Sequence, residues 1–396
     1  MPDTGALPEP PETPVTSLNS LAPETSETSE TFETSVPFHA GQAGYASFRI
    51  PAVVSAADGT LLAFCEARRA SSADSGDIDL VLRRSTNGGR GWGPLQVVAS
   101  NGRDLAGNPA PVVLASGRVL LVHIRNAAAA TEDAIRRGRV TAADGRRVWV
   151  TYSDDAGLTW EPAREITAQT KKASWRWYAT TPGHAVLTRE GRVVVPANHS
   201  LPPTGSDTGT EAKYNGGHCL LSDDSGATWR IGYVDDGAGP TEGLMNPNET
   251  TAAQLPDGRL YFNTRNDSPA PGTRADAYSL DGGEHLLKPF RPQAGLVGPV
   301  VEGSLLHLGD PDVLLYAGPA DPGFRALMTV RRSLDAGVTW SPVHTVDGLP
   351  AAYSDLVRVD DATIGLLYET GDFSAYETIT FRRIPVAALT LTGPDR

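Results

Sequence analysis

The chain of 396 residues holds only two cysteines and three methionines. Cys65 and Cys219 each lie in an apolar, strand-like run, so two buried free thiols are expected rather than a disulfide. No metal-ligand spacing involves them. Long apolar runs are also missing: a membrane-spanning helix needs about 20 consecutive apolar residues, and the sequence offers none. The N-terminus has Asp3 and several prolines where a signal peptide has a basic region, and no apolar stretch follows. As written, the sequence is expected in the cytoplasm, with secretion as the alternative. Positive charge is scarce. Against 47 Asp and Glu stand 34 Lys and Arg, a net charge of −13, which argues against a nucleic-acid partner. The eight histidines form no ligand cluster, and no Gly-x-Ser-x-Gly elbow appears. Neither a metal nor a cofactor is expected. No segment carries a long 3.6-period apolar stripe, and Thr131–Arg139 is the one short, polar stretch that reads as helical.

What is abundant is Gly (41) and Pro (31), the residues of turns. Residues 1–35 are mostly Pro, Glu, Thr and Ser, with almost nothing to bury, and read as a disordered tail. The folded region is expected over residues 36–391, with 392–396 as a C-terminal end. Within it, short β-branched and aliphatic runs flank hairpin signals such as Asp58-Gly59, Ser116-Gly117, Glu190-Gly191 and Asp257-Gly258.

A second rhythm is longer. The pattern Ser-x-Asp-x-Gly-x-Thr-Trp occurs at Ser153–Trp160, Ser222–Trp229 and Ser333–Trp340. A degenerate copy lies at Ser85–Trp92, and a trace remains at Ser279–Gly283. Ser and Asp side chains accept hydrogen bonds from amides two or three residues on, and Gly supplies the left-handed conformation, so each copy is a turn. The Trp at its end plugs the gap beside the returning strand. Calcium binding is the competing reading, but the alternating oxygen ligands and closing Glu of an EF-hand are missing. Copies start roughly 55–70 residues apart, about one four-stranded blade. The folded region then divides into six. The expectation is all-β: a six-bladed propeller of four-stranded antiparallel blades, closed by pairing the last strand, Thr378–Val386, beside the first.

Phe48-Arg49-Ile50-Pro51 near the start of the domain, followed by these Asp boxes, resembles the exo-α-sialidases (neuraminidases) of bacteria and animals. The resemblance runs from about Gly41 to Leu389. It implies three arginines holding a sugar carboxylate: Arg49, Arg265 in Asn263-Thr264-Arg265-Asn266, and Arg325 in Gly323-Phe324-Arg325. A planar guanidinium pairs with a carboxylate bidentately, and three of them select an anionic sugar. Glu369 matches the family position that steadies the first arginine. The nucleophile resembles Tyr353, with Glu249 as the base that takes its proton, since sialidases are a tyrosine exception among retaining glycosidases. A neutral phenol also meets less repulsion than a carboxylate at a carbon that itself bears one. The acid/base resembles Asp74, with Asp77 and Asp79 as neighbours that spacing alone does not exclude. Glu66, Arg68 and Asn108 match further pocket positions, Asn108 on the N-acyl side. Trp175, Trp177 and Tyr178 are open between facing the aglycone and packing in the core. Glu302 stands where many relatives have Gln, a carboxylate expected to alter recognition of the sugar's substituents. The implied partner is a sialylated glycoconjugate. A non-catalytic, glycan-binding Asp-box propeller is the alternative from another class, and a trans-sialidase would normally add a lectin domain.

Overall fold

The computed structural model describes residues 32–237, 245–268 and 272–390. Among them, strands group into six antiparallel blades, read in order from the innermost strand outward. The first is Ser47–Ser55, Leu61–Arg68, Ile78–Ser85 and Gln96–Ala99. The second is Leu105–Val113, Val119–Asn126, Arg147–Ser153 and Arg164–Glu165. A parallel contact between Ile78 and Leu105 joins these two blades into one continuous sheet. In the third, the innermost strand is broken into Tyr178–Thr180 and Val186–Leu187, followed by Val193–Ser200, Asn215–Ser222 and Arg230–Asp235. The fourth runs Pro247–Gln254, Leu260–Asn266, Thr273–Ser279 and Arg291–Val297. The fifth runs Ser304–His307, Leu314–Pro319, Met328–Ser333 and Ser341–Thr345.

The sixth blade is made from both ends of the folded region. Ala351–Arg358, Thr363–Thr370 and Thr378–Pro385 supply its inner strands, and Thr34–His39 adds the outermost one, antiparallel to Thr378–Pro385. The ordered chain therefore reaches further toward the N-terminus than the compositional boundary at Val36. Phe32, although set in a Thr/Glu/Ser stretch, packs on His344 with ring centroids 4.5 Å apart, and Glu33 pairs with Arg90 and Arg383 at 2.8 and 2.9 Å. Of the tail expected to be disordered over residues 1–35, residues 1–31 lie outside the described residues, and so does the C-terminal end at 392–396.

Apolar clusters fill the gaps between blades. Phe64 and Leu82 of the first blade meet Val119 and Leu121 of the second; Cys219 and Leu221 of the third meet Leu260 and Phe262 of the fourth; Leu61 and Val81 of the first meet Phe381 and Leu367 of the sixth. A blade's inner strands are thus covered on both faces. This is why Leu61–Arg68 and Val193–Ser200 are buried at every position instead of alternating.

The Asp boxes lie in the turns between third and fourth strands. In Ser153–Trp160 the Gly157 amide donates to Ser153 Oγ at 2.8 Å, and Thr159 donates its amide to Asp155 Oδ1 at 2.8 Å and its hydroxyl to Oδ2 at 2.5 Å. The carboxylate is consumed by its own turn, leaving none of the open oxygen ligation that calcium requires. Ser279–Gly283, faint in sequence, has the same geometry, with the Gly283 amide donating to Ser279 Oγ at 2.9 Å and the His285 amide standing in for that of Thr on Asp281 at 3.0 Å. Each box seats against the preceding blade: Trp92 on Phe381, Trp160 on Phe64, Trp340 on Tyr261. The box glycines explain themselves there. Gly337 has φ +94°, and a Cβ on it would lie 2.7 Å from the Tyr261 ring. The sixth blade has no box because its third and fourth strands are not consecutive in the chain.

At the centre, the buried carboxylate of Asp355 ties blades together. It accepts from the Val53 amide at 2.8 Å, the His184 amide at 3.0 Å and Ser304 Oγ at 2.8 Å, which belong to the first, third and fifth blades. The short helix Glu132–Arg136 falls within the stretch expected to be helical.

Candidate active site

Innermost strands of the propeller start, and second strands end, on the face opposite the Asp boxes. There the pairing register slips in four blades: between Arg49 and Ala52, Gly107 and Ala110, Pro247 and Thr250, and Ala351 and Ser354. A bulge re-aims the side chains beside it. The four bulges carry Arg49, Asn108, Glu249 and Tyr353. Two are strained, since Ile50 sits at φ +63° and Asn108 at φ +53°, and for a β-branched residue such as Ile50 that conformation is a genuine outlier.

These residues line one cavity of about 210 Å³, together with Glu66, Arg68, Asp74, Arg265 and Arg325. Of the residues the resemblance assigns to catalysis or substrate binding, all are brought together except Glu369, which lies behind the wall and makes no contact with the open space. Its carboxylate, fully buried, accepts from Arg49 Nε at 2.8 Å and Nη2 at 3.2 Å, the Ile50 amide at 2.8 Å and the Tyr353 amide at 3.2 Å. Burial pulls the Arg49 pKa down, but Glu369 outweighs it and holds the guanidinium charged.

The three arginines are held differently. Arg265 gives Nε to Asp267 at 2.7 Å and Nη1 to Glu249 at 2.9 Å. Arg325 gives Nη1 to Tyr376 Oη at 3.0 Å and Nη2 to the Val300 carbonyl at 3.2 Å. Among the described residues Arg325 has no carboxylate partner, so its charge is uncompensated. Tyr376 braces two of the three, because the Arg49 guanidinium also lies 3.9 Å over its ring.

Tyr353 Oη donates to Glu249 Oε1 at 2.5 Å, with Arg265 Nη1 3.3 Å from the same oxygen. Burial, then the Glu249 charge, push the phenol pKa well above 10, while Arg265 and Arg49 pull it back. Burial also raises Glu249 above the usual carboxylate range, against Arg265. Glu249 is thereby a stronger proton acceptor than a free carboxylate, placed on the proton of the phenol.

Asp74 sits at the cavity mouth in the loop between Leu61–Arg68 and Ile78–Ser85. Its carboxylate takes Arg68 Nη1 at 2.7 Å and lies 3.7 Å from Arg49 Nη1. Partial burial raises its pKa, but Arg68 and then Arg49 override that and hold it below the usual range. The two neighbouring acids are engaged elsewhere: Asp77 pairs with Arg69, and Asp79 is buried against Tyr45 and Arg69. Geometry separates the three where spacing did not. Glu66 holds Arg68 at 2.6 Å and accepts the Asn108 amide at 2.9 Å, setting one flank of the cavity.

One sequence expectation changes, and one left open divides. Glu302 does not face the cavity; it is 2 % exposed, accepts the Ser354 amide at 2.9 Å, and burial raises its pKa well above the carboxylate range. It lies beneath the strand carrying Tyr353, so its pattern position beside Gly303-Ser304 is one of support. Of the three aromatics, Trp177 lines the cavity while Trp175 and Tyr178 are in the core, Trp175 stacked 3.8 Å from His199. Sequence reasoning missed Arg146, which donates to Asn108 Oδ1 at 2.8 Å and lies 3.8 Å over the Trp177 ring, as well as Glu132, Asn248, Asp267 and Tyr376. None belongs to a recognisable motif. Among the described residues, no group of three or more His, Cys, Asp or Glu side chains is arranged to hold a metal ion, and no helix is long and apolar enough to cross a membrane.

Comparison with known proteins places this geometry in a family. Residues 59–366 match the BNR repeat-like domain. The chain is 31% identical over 385 residues to an exo-alpha-sialidase of Aspergillus fumigatus, covering 89% of this chain and 87% of that protein. It is 29% identical over 398 residues to human Sialidase-3, covering 85% and 88%. Among solved structures, the Hadza microbial sialidase Hz136 has the same fold, with a TM-score of 0.74 at 24% identity over 90% of this chain and 69% of that one.

Proposed function

Starting from the fact that this chain belongs to the BNR-repeat sialidases, a family of glycoside hydrolases, we propose that it removes terminal α-linked sialic acid from glycoconjugates with retention of configuration, through a tyrosyl intermediate. The observation that carries this reading is the Tyr353–Glu249 hydrogen bond of 2.5 Å beside three converging arginines. An oxygen nucleophile, a base on its proton and a carboxylate clamp share one cavity.

The sugar carboxylate is held by Arg49, Arg265 and Arg325, of which Arg325 has the charge most available to it. Tyr353 Oη bonds to the anomeric carbon as the glycosidic C–O bond breaks. The phenol proton passes to Glu249, and Asp74 gives its proton to the departing oxygen. In the second half water attacks the anomeric carbon, Asp74 takes its proton, and the tyrosyl oxygen leaves with the proton held by Glu249. Asp74 is held ionised in the free protein by Arg68 and Arg49. Pairing of Arg49 with the substrate carboxylate removes part of that field, so binding itself favours protonation of the acid.

The test is Tyr353→Phe, assayed on an aryl sialoside with the first-formed anomer followed by NMR. Turnover falls by about 10³-fold or more, as when an enzyme loses its nucleophile, and the wild-type chain releases the α-anomer first. Near-normal turnover by the variant, or β-anomer released first, overturns the mechanism.

A further inference from the structure

Beside the reaction cavity lies a second, larger groove of about 740 Å³, within the ~300–1,000 Å³ range of ligand sites. Its charge is the reverse of the molecule's. Arg146, Arg147, Lys171, Lys172 and Arg176 line it, and Glu165, paired with Arg147 at 3.3 Å, is its only carboxylate. Several arginines elsewhere on this acidic protein surface are matched: Arg118 with Asp154, Arg192 with Asp223, Arg230 with Glu284. In the groove, Lys171 gives its ammonium to the Arg146 carbonyl at 2.9 Å, and Arg176 gives Nη1 to the Arg136 carbonyl at 2.6 Å. Among the described residues neither these two nor the exposed Lys172 has a carboxylate partner. The groove thus concentrates positive potential in a protein whose net charge is −13.

The two sites share a wall. Arg146, 3 % exposed, lines both, and its Nε has no hydrogen-bond partner. Among the residues lining the two sites it is the one they have in common. We propose that the groove is a second binding site, for an anionic sugar, carrying a carboxylate or a sulfate ester, in the same glycan whose terminal residue occupies the reaction cavity. The identity of the glycan rests on the function proposed above; the groove's preference for a sugar anion does not. Burial, and after it the charge of Arg146, lower the Lys171 pKa to about 8, and an anion beside the ammonium opposes both.

The experiment compares kcat/KM for a sialyl-lactose with one carboxylate, its sulfated analogue and a disialyl-lactose, in the wild-type chain, Lys172→Glu, and Lys171→Gln/Lys172→Gln. The wild type favours the doubly charged substrates by roughly three- to ten-fold, the worth of one or two partly exposed charge pairs, and both variants lose that preference while the singly charged substrate is unaffected. The sulfate and carboxylate arms tell which anion the groove takes. Calorimetric titration of the sulfated trisaccharide into full-length Tyr353→Phe, with and without Lys172→Glu, reads the groove without turnover. If no sialoside is cleaved but this titration is sensitive to Lys172, the proposed function fails and the groove stands. Equal kcat/KM for all three substrates in the wild type overturns the inference. So does inorganic sulfate, or a phosphatidylserine vesicle, binding as tightly as the trisaccharide with the same loss in Lys172→Glu.

Discussion

Glu369 offers the sharpest test of how the cavity is held together. Four donors converge on its buried carboxylate: two guanidinium nitrogens of Arg49 and the amides of Ile50 and Tyr353. Glu369→Gln preserves shape and one acceptor oxygen but leaves Arg49, itself 4 % exposed, with only the mostly exposed Asp74 carboxylate 3.7 Å away as a counter-charge. Breaking such a pair from one side costs about 3–5 kcal/mol, and in a domain of this size that lowers Tm by roughly 5–10 °C. The loss belongs to the unpaired charge, not to packing. Arg49→Met/Glu369→Gln is therefore expected to be more stable than Glu369→Gln alone by about 1–3 kcal/mol. Calorimetric melts of wild type, both single variants and the double variant give the coupling directly. Because Glu369 also fixes the amides on either side of the bulges bearing Arg49 and Tyr353, kcat/KM of Glu369→Gln falls by about ten- to a hundred-fold. Additive destabilisation, with the double variant the least stable of all, refutes the reasoning.

Other perturbations separate scaffold from chemistry. Arg325→Ala raises KM for a sialoside by about 10- to 100-fold, the worth of a lost charged hydrogen bond, with Tm moving less than about 3 °C; unchanged kinetics remove it from the carboxylate clamp. Gly337→Ala drives a methyl against the Tyr261 ring at positive φ, so urea melts show a loss of about 2 kcal/mol, while kcat/KM of the folded protein is unaltered. On pH, Asp74 acts only when protonated, and Arg68 and Arg49 hold its pKa low. Deprotonation as pH rises removes the acid, so kcat/KM falls steadily as pH rises, and the fall sets in on the acid side of the ordinary carboxylate range. A flat profile to pH 8 contradicts that assignment.

Much of this was legible in the chain. The Asp boxes report their own turn chemistry, because Ser, Asp, Gly and Thr make their hydrogen bonds within the loop, and the spacing of the boxes counts blades. Arg49, Arg265, Arg325, Tyr353 and Glu249 were found through short matches to a family. What a linear reading does not show is which side of a strand a residue faces once a bulge intervenes. Glu302 and Tyr353 lie in adjacent blades, yet one is sealed beneath the strand and the other opens on the cavity. Asp74, Asp77 and Asp79 are equivalent as text and are sorted only by which arginine reaches each. Arg146 and Trp177 come from neighbouring blades and meet only when the second packs against the third. Phe32 was hidden because one aromatic residue in a Thr/Glu/Ser stretch has no neighbour in sequence to reveal its partner, which lies some 300 positions away.

The closing of the sixth blade also has a consequence during synthesis. Thr34–His39 emerges first and pairs with Thr378–Pro385, which emerges last. At about 5–20 residues per second, the early strand waits roughly 20–70 s for its partner. Five blades can assemble in that interval, but the ring stays open, and a hydrogen-bonding edge stays exposed to other nascent chains. The edge is poorly suited to foreign pairing: Pro37 withholds a donor, and the register slips between Ser35 and Phe38. The same irregular strand that completes the ring is thereby a weak template until the ring is ready for it.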